Sequence, residues 1–461
     1  MATNLKNIKV GLVDADLLDG GTRHPNLALL KIAGLLYDNG ISFNLIYEKD
    51  VNISDYDHIF MSRVFSFTKE PEFYLVASEE DKDKFHCGGT GYYATETDIA
   101  IFKKKREEDM NKLENDPFLK KLKNNYGVKD YPKGIDMARQ MPYYHLYDEF
   151  VASKIAKGEK RLKYKDYLDF SIGFLTRKCY RHCPFCVNKL ENGVVEYSKL
   201  EWFHDKKRPL VYFWDDNFLA APRDVWEPIL NNLITKNIRF QFRQGLDERQ
   251  FAENSDGELM AQLLSKSNYY GDFIFAFDNW KDRQIIEKSL KIWKKYCPTK
   301  STKFYLFCGF QQKKDNNKLF YRDIVELFNR IKVLMQYGCC GYVMRHEDYH
   351  NAPISNFYVQ IARWCNQPAF YKKMSFWEFC YRNQSYWEQK TLKRNCKDQI
   401  SFSEFIKRKE KGYYEKGKNK LCLPLKTLLD ILEMFHMHKD ELLEMFNYKF
   451  VNLCDSKNWE K

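Results

Sequence analysis

Apolar residues in this chain fall into two recurring patterns. Short continuous runs alternate with stretches in which apolar residues return at helical spacing, and that alternation predicts parallel strands joined by helices. Residues 8–14 (Ile-Lys-Val-Gly-Leu-Val-Asp) read as a buried strand, followed by Asp14, Asp16 and a Gly20-Gly21-Thr22 turn. Residues 25–36 carry a helical pattern opened by Pro25, and Asn39-Gly40 closes it. Residues 41–48 and 58–64 read as two further strands, so the β-α-β order predicts a small parallel α/β sheet.

A charged stretch follows over residues 95–165, with an aromatic, proline-marked segment at Met141-Pro142-Tyr143-Tyr144-His145-Leu146-Tyr147-Asp148. It reads as a linker that packs across a barrel mouth. Strand patterns then recur at 169–176, 210–214, 239–243, 272–277, 303–310 and 341–344. Helical patterns separate them at 222–235, 258–265, 283–295 and 321–337, giving about six βα units. Polar residues cluster where these strands end: Asp215, Asp216, Asn217, Gln244, Asp247, Asp278, Arg345 and His346. Such groups are costly if buried without partners, which makes them candidates for facing a ligand. Beyond residue 352 the pattern is helical, with a basic stretch at 407–420 read as a loop and an amphipathic helix over 425–445. His436 and His438 lie two apart and so do not share a helical face.

Composition narrows the class. The chain has 461 residues, enough for two or three domains, and is 44% hydrophobic. No apolar run reaches membrane-spanning length, since the best stretch, 27–37, is interrupted by Lys31. The N-terminus lacks a signal-peptide pattern, so the expected location is cytoplasmic, with no membrane partner. The 13 cysteines then read as reduced thiols or metal ligands. The net charge of +12 would suit RNA, but Lys103-Lys104-Lys105-Arg106 runs straight into Glu107-Glu108-Asp109, the pattern of a solvated helix face.

Candidate chemistry concentrates in Arg177-Lys178-Cys179-Tyr180-Arg181-His182-Cys183-Pro184-Phe185-Cys186, a Cys-x-x-x-Cys-x-x-Cys loop just after a strand pattern. Three thiolates on one short loop can converge on a single inorganic centre, and three rather than four leave one iron of an iron–sulfur cluster open. Zinc is the alternative, completed by His182 or a distant cysteine, in a zinc-stabilised nucleic-acid-binding protein; no second Cys-x-x-Cys pair follows at finger spacing. A buried structural set of cysteines is a third reading.

The loop, including the aromatic Phe185 before its third cysteine, resembles the signature of the radical S-adenosylmethionine (SAM) superfamily. The resemblance implies that Cys179, Cys183 and Cys186 bind a 4Fe–4S cluster whose open iron chelates SAM. It implies reductive cleavage to a 5′-deoxyadenosyl radical that abstracts hydrogen from an unknown substrate, with a flavodoxin- or ferredoxin-type electron donor. It places SAM contacts at Phe185, Asp215, Asp216, Asn217, Gln244 and Arg345; Trp214-Asp215-Asp216-Asn217 stands where many members carry a Gly-Gly-Glu type motif. A cluster protein that binds SAM without turnover would carry the same loop.

The N-terminal strand, the Pro25-Asn26-Leu27-Ala28 helix start and Cys87-Gly88-Gly89-Thr90-Gly91 resemble the cobalamin-binding-like domain of that superfamily. Its Asp-x-His-x-x-Gly cobalamin signature is not present; His24 stands in the corresponding loop as Arg23-His24-Pro25, and reads as a helix-entry residue. Cobalamin-assisted methyl transfer and RNA modification are variants of the function. Cys308, Cys339 and Cys340, with Cys297, Cys365, Cys380 and Cys396, match no auxiliary-cluster spacing. The expected architecture is α/β: a Rossmann-like domain (1–94), a linker (95–165), a partial (β/α)6 TIM-type barrel (166–352) and a C-terminal helical region (353–461).

Overall fold

A computed structural model describes residues 7–93, 96, 98–122, 137–392, 407, 408, 410–412 and 421–459. The chain is α/β with parallel sheets, and divides into two units, Met1–Trp226 with Thr235–Gln244, and Glu227–Ile234 with Gly245–Lys461.

The first unit opens with β1 (Lys9–Asp14), β2 (Ser42–Ile46), β3 (His58–Ser62) and β4 (Phe85–Gly88), all parallel in the order β2-β1-β3-β4. Residues Val10 to Asp14 are buried throughout, as expected of a central parallel strand covered on both faces. The helix Leu27–Asp38 crosses between β1 and β2, capped by the Asn26 side chain on Leu29 N–H and ended at Asn39, with Gly40 at φ 67°. β4 has no counterpart in the sequence reading. Its Phe85-His86-Cys87-Gly88 is short and mixed, and only pairing with β3 reveals it as a strand.

β5 (Phe170–Gly173), β8 (Leu210–Phe213) and β9 (Phe240–Phe242) form a second parallel sheet, with Ile172 opposite Tyr212 and Phe213 opposite Phe242. Between β5 and β8, the two-residue strands β6 (Thr176–Arg177) and β7 (Val195–Glu196) pair antiparallel.

The aromatic segment 141–148 stitches these sheets together. Tyr144 Oη accepts from Ile172 N–H at 2.8 Å and donates to Phe203 O at 2.6 Å, while Tyr147 Oη donates to the Asp14 carboxylate at 2.8 Å. Tyr144 and Tyr147 join a core that includes Val10, Leu12, Leu30 and Leu36. Buried Arg208 adds donors to the carbonyls of Tyr144, Tyr167 and Phe170.

The second unit holds β10 (Phe273–Ala276), β11 (Thr302–Cys308) and β12 (Cys340–Arg345), parallel in that order. Its helices Gly257–Lys266, Arg283–Tyr296 and Asn317–Gln336 follow the predicted apolar periodicity. The single helix expected over 425–445 is two, Leu423–Met434 and Lys439–Phe446. The chain leaves helical geometry at Phe435 (ψ 43°), whose ring packs against Phe320 and Tyr321. Most of the basic stretch 407–420 lies outside the described residues, as does Cys396. Among the described residues no helix is long and apolar enough to cross a membrane.

Candidate functional site

β5 delivers the chain to the cysteine loop, and β6 pairing with β7 closes it. Cys179, Cys183 and Cys186 are each partly exposed. Cys297, Cys308, Cys339, Cys340, Cys365, Cys380 and Cys422 are buried. Burial pushes the Cys297 and Cys339 thiols up to about 12, and the Cys308 and Cys380 thiols well above the ordinary range, so these stay neutral core groups.

Three consecutive residues at the end of β8 fasten the loop. Asp215, 1% exposed, accepts at one oxygen from Leu175 N–H (3.1 Å) and at the other from Thr176 N–H (2.5 Å) and Thr176 Oγ1–H (2.7 Å). Asp216 accepts from Lys178 N–H at 2.8 Å and pairs with Arg177 Nε at 3.2 Å. Asn217 donates its amide to Cys179 Sγ at 3.3 Å. Burial raises the Asp215 carboxyl to about 7, while the bonds from Thr176 and Leu175 pull it down. The acidic strand end therefore serves the backbone of the cysteine loop, a role that the sequence pattern did not distinguish from facing a ligand.

The loop itself turns through left-handed conformations at Lys178 (φ 77°) and His182 (φ 49°), which non-glycine residues adopt at a cost. Backbone N–H groups point at its sulfurs: Arg181 N–H lies 3.5 Å from Cys179 Sγ and Asn188 N–H 3.4 Å from Cys186 Sγ. Such N–H···S bonds stabilise thiolate character and are a lever on metal–thiolate centres. His182 Nδ1 is 2.9 Å from Lys189 O, which ties the ring back onto the loop. Phe185 sits in the turn between the second and third cysteines, and Cys186 N–H donates to Cys183 O at 2.9 Å.

The donor set of partly exposed sulfurs with N–H partners fits an iron–sulfur group. A single zinc ion asks for more. A tetrahedral zinc site needs a fourth ligand beside the three cysteines, and among the described residues no group of three or more His, Cys, Asp or Glu is gathered for a metal ion of any kind.

The other expected contacts divide between the units. Gln244 follows β9 in the first unit and is exposed. Arg345 ends β12 in the second unit, exposed, with its guanidinium 4.8 Å above the Tyr349 ring. Asp278, also in the second unit, accepts from Phe307 N–H at 3.3 Å, and burial raises its carboxyl to about 6. Sequence reasoning missed its neighbour Arg330, which is buried and donates to the carbonyls of Phe277, Asp278 and Phe307 at 2.8–3.0 Å. Asp247 is bound by Arg249 (2.7 Å), which also reaches Asp282 (3.2 Å).

In the first unit His24 forms a cluster that the sequence left as a helix-entry residue. Its Nδ1 is 2.5 Å from Asp166 Oδ2, its Nε2 is 3.2 Å from an Arg243 guanidinium nitrogen, and Tyr212 and Trp214 pack edge-on to the ring. Nε2 is held by Arg243, while Nδ1 lies against the Asp166 carboxylate. Two glycines of the stretch 87–91 are committed to packing, while Gly88 faces open space. A Cβ on Gly89 would meet Arg63 O at 2.3 Å, and one on Gly91 would meet Phe65 O at 2.7 Å.

Against known proteins, no family model matches the chain, and no curated protein matches it.

Proposed function

We propose that this protein is a radical SAM enzyme acting on a substrate still to be identified, with Cys179, Cys183 and Cys186 holding a 4Fe–4S cluster. The observation that carries the reading is the cysteine loop itself: partly exposed sulfurs at Cys-x-x-x-Cys-x-x-Cys spacing, supplied with N–H donors and lashed to the end of β8. When bound, the cluster supplies the electron that splits SAM into methionine and a 5′-deoxyadenosyl radical. The chain's own work is positional. Asp215 and Asp216 fix residues 175–178, which sets where the sulfurs start, and Asn217 adds a donor on Cys179. Since both Asp215 oxygens accept from the loop, Gln244, exposed after β9, is the better candidate of this unit for contact with SAM.

The partial (β/α)6 barrel belongs to this proposal. Its six strands would be β5, β8 and β9 followed by β10, β11 and β12, with helices after all of them but β5, which leads into the cysteine loop instead. A flavodoxin- or ferredoxin-type donor and a cytoplasmic location go with the reading, because a reduced cluster needs both an electron source and a reducing compartment.

The test is anaerobic reconstitution with iron and sulfide, followed by dithionite and SAM. A brown protein that yields 5′-deoxyadenosine is the expected result, and Cys183→Ala should abolish colour and product together. Iron binding without 5′-deoxyadenosine would leave a SAM-binding sensor instead. A colourless protein with stoichiometric zinc would refute the proposal in favour of a zinc-stabilised fold.

A further inference from the structure

Side chains alternate between the two faces of β8 and β9. Phe213, Phe240 and Phe242 pack together on one face, with Phe218 against Phe242. Tyr212, opposite Gln241 in the register, belongs to the other face, and Trp214 and Arg243 continue that face two residues on. A histidine from a distant part of the chain covers it. His24 packs edge-on to Tyr212 and Trp214, and its loop is pinned there: Thr22 Oγ1 donates to His24 O at 2.9 Å, and Tyr167 Oη donates to Thr22 O at 3.0 Å. The loop after β1 thus lends a residue to the second sheet, beside the strand end whose Asp215 holds the cysteine loop.

Arg243 is partly exposed on this face, and its charge is loosely held. The guanidinium lies 5.1 Å over the Tyr212 ring, donates to Gln241 Oε1 at 3.4 Å and meets His24 Nε2 at 3.2 Å. Both contacts are long for N–H donors, and no described carboxylate pairs with the guanidinium. Other part-buried arginines are better spent. Arg208 and Arg330 donate to carbonyls at 2.8–3.0 Å, and Arg249 is paired with Asp247 and Asp282. A guanidinium has five N–H donors, and its fork fits two oxygens of a carboxylate or phosphate at about 2.7–2.9 Å. Exchanging two long contacts, to a ring nitrogen and an amide oxygen, for that pair is favourable. His24, with 23% of its side chain exposed, stands beside the fork, and Asp166, 7% exposed, lies 2.5 Å from its Nδ1. Asp166 fixes the ring, and the ring and Tyr212 together fix the plane of the guanidinium.

We infer that Arg243 binds an oxyanion of the substrate, a carboxylate or a phosphate, with His24 and Asp166 as positioning residues. That the anion belongs to a substrate rests on the radical SAM reading; that an anion binds here does not. A zwitterionic amino acid fits less well. Its ammonium would stand beside the guanidinium, and the Asp166 carboxylate that could receive it is buried behind the imidazole. This separates the ligand from the methionine part of SAM.

The test is a nuclear magnetic resonance titration of the metal-free full chain, labelled with nitrogen-15 at histidine, with inorganic phosphate, succinate, methionine and SAM at constant ionic strength. The His24 signal is assigned by its loss in His24→Gln. Phosphate or succinate should move it saturably, and the tighter of the two tells a phosphate ester from a carboxylate. Methionine and SAM should each bind at least about tenfold more weakly. Arg243→Gln should abolish the shift. Arg243→Lys, which keeps the charge but loses the fork, should weaken binding about tenfold. Unchanged signals from the other histidines show that both variants fold. The inference is overturned if neither anion moves the His24 signal, if the shift survives in Arg243→Gln, or if methionine or SAM binds as tightly as the better anion. These outcomes separate from those of cluster reconstitution. A colourless, zinc-bound protein that shows the anion shift loses the radical SAM reading, and the substrate assignment with it, but keeps the anion site. A brown protein that makes 5′-deoxyadenosine without the shift loses the site alone.

Discussion

Asp215→Asn separates what the clamp does by shape from what it does by charge. The asparagine oxygen can keep both donors from Thr176, but its NH2 group then faces the Leu175 N–H. Leaving that one buried donor unpaired costs about 1–3 kcal/mol and sets the level of the difference between variant and parent. The pH dependence comes from proton linkage. Burial raises the Asp215 carboxyl from 3.8 to about 7, so the folded state holds a proton that the unfolded state has released. The stabilisation from this group is therefore complete below 3.8 and is lost as pH rises through about 7. Integrated from pH 5 to pH 8, the parent loses roughly 2–3 kcal/mol through this one group. Asparagine does not titrate. The stability gap between parent and variant should thus shrink by that amount over the same range, whatever its size at pH 5. Urea titrations followed by tryptophan fluorescence at pH 5, 6, 7 and 8 measure it. Other groups, including Asp14, which burial also raises to about 7, titrate in both proteins and cancel in the difference. A gap that stays constant across this range would refute the dominance of burial over the bonds from Thr176 and Leu175 at Asp215.

Other outcomes follow from the same geometry. Asn217→Leu keeps the branched shape but removes the amide donor from Cys179 Sγ, so in metal-free protein alkylation of Cys179 by iodoacetamide should slow relative to Cys183 and Cys186, read by peptide mapping. An unchanged ratio would show that the bond does not act on the thiolate. Arg330→Met strips the carbonyls of Phe277, Asp278 and Phe307 of their shared donor and should cost about 3 kcal/mol or more in thermal or urea unfolding; a neutral result would discard Arg330 as the tie between β10 and β11. Burial lowers the titration of His58 and His86, whose rings meet at 3.1 Å beside Asp116. Their contribution to stability is present above 6.5 and lost as pH falls through the lowered folded values, so the protection of amides in β3 and β4, corrected for the intrinsic exchange rate at each pH, should fall as pH drops below 6.5.

The sequence carried the strands well, because a parallel strand covered on both faces has to be an apolar run. β1, β8 and β10 are such runs, and the helices between them have an apolar face. Short or mixed strands carried no such mark: β4 contains His86 and ends at a glycine pair, while β6 and β7 are two residues each and exist only by pairing. The cysteine spacing was equally legible, since it is local. The partners of His24 were not. Asp166 and Arg243 come from distant parts of the chain, and neither lies in a pattern that points to the other.

The strand ends show why a polar position can be read but its direction cannot. An acidic residue after an apolar strand has two ways to avoid an unpaired buried charge: accept from a ligand, or accept from the backbone next door. The two give the same sequence. At β8 the second has won, because β5 runs parallel beside it and turns away into the cysteine loop, leaving the N–H groups of Leu175, Thr176 and Lys178 without strand partners at that height. Asp215 and Asp216 answer those donors. Asp278 answers Phe307 N–H in the second unit for a different reason: β10 stops there while β11 runs on to Cys308, still paired with β12. At β8, then, a neighbour that leaves the sheet to build a loop calls for an acceptor at the strand's carboxyl end. The acidic residue found there is evidence for the loop before it is evidence for what the loop holds.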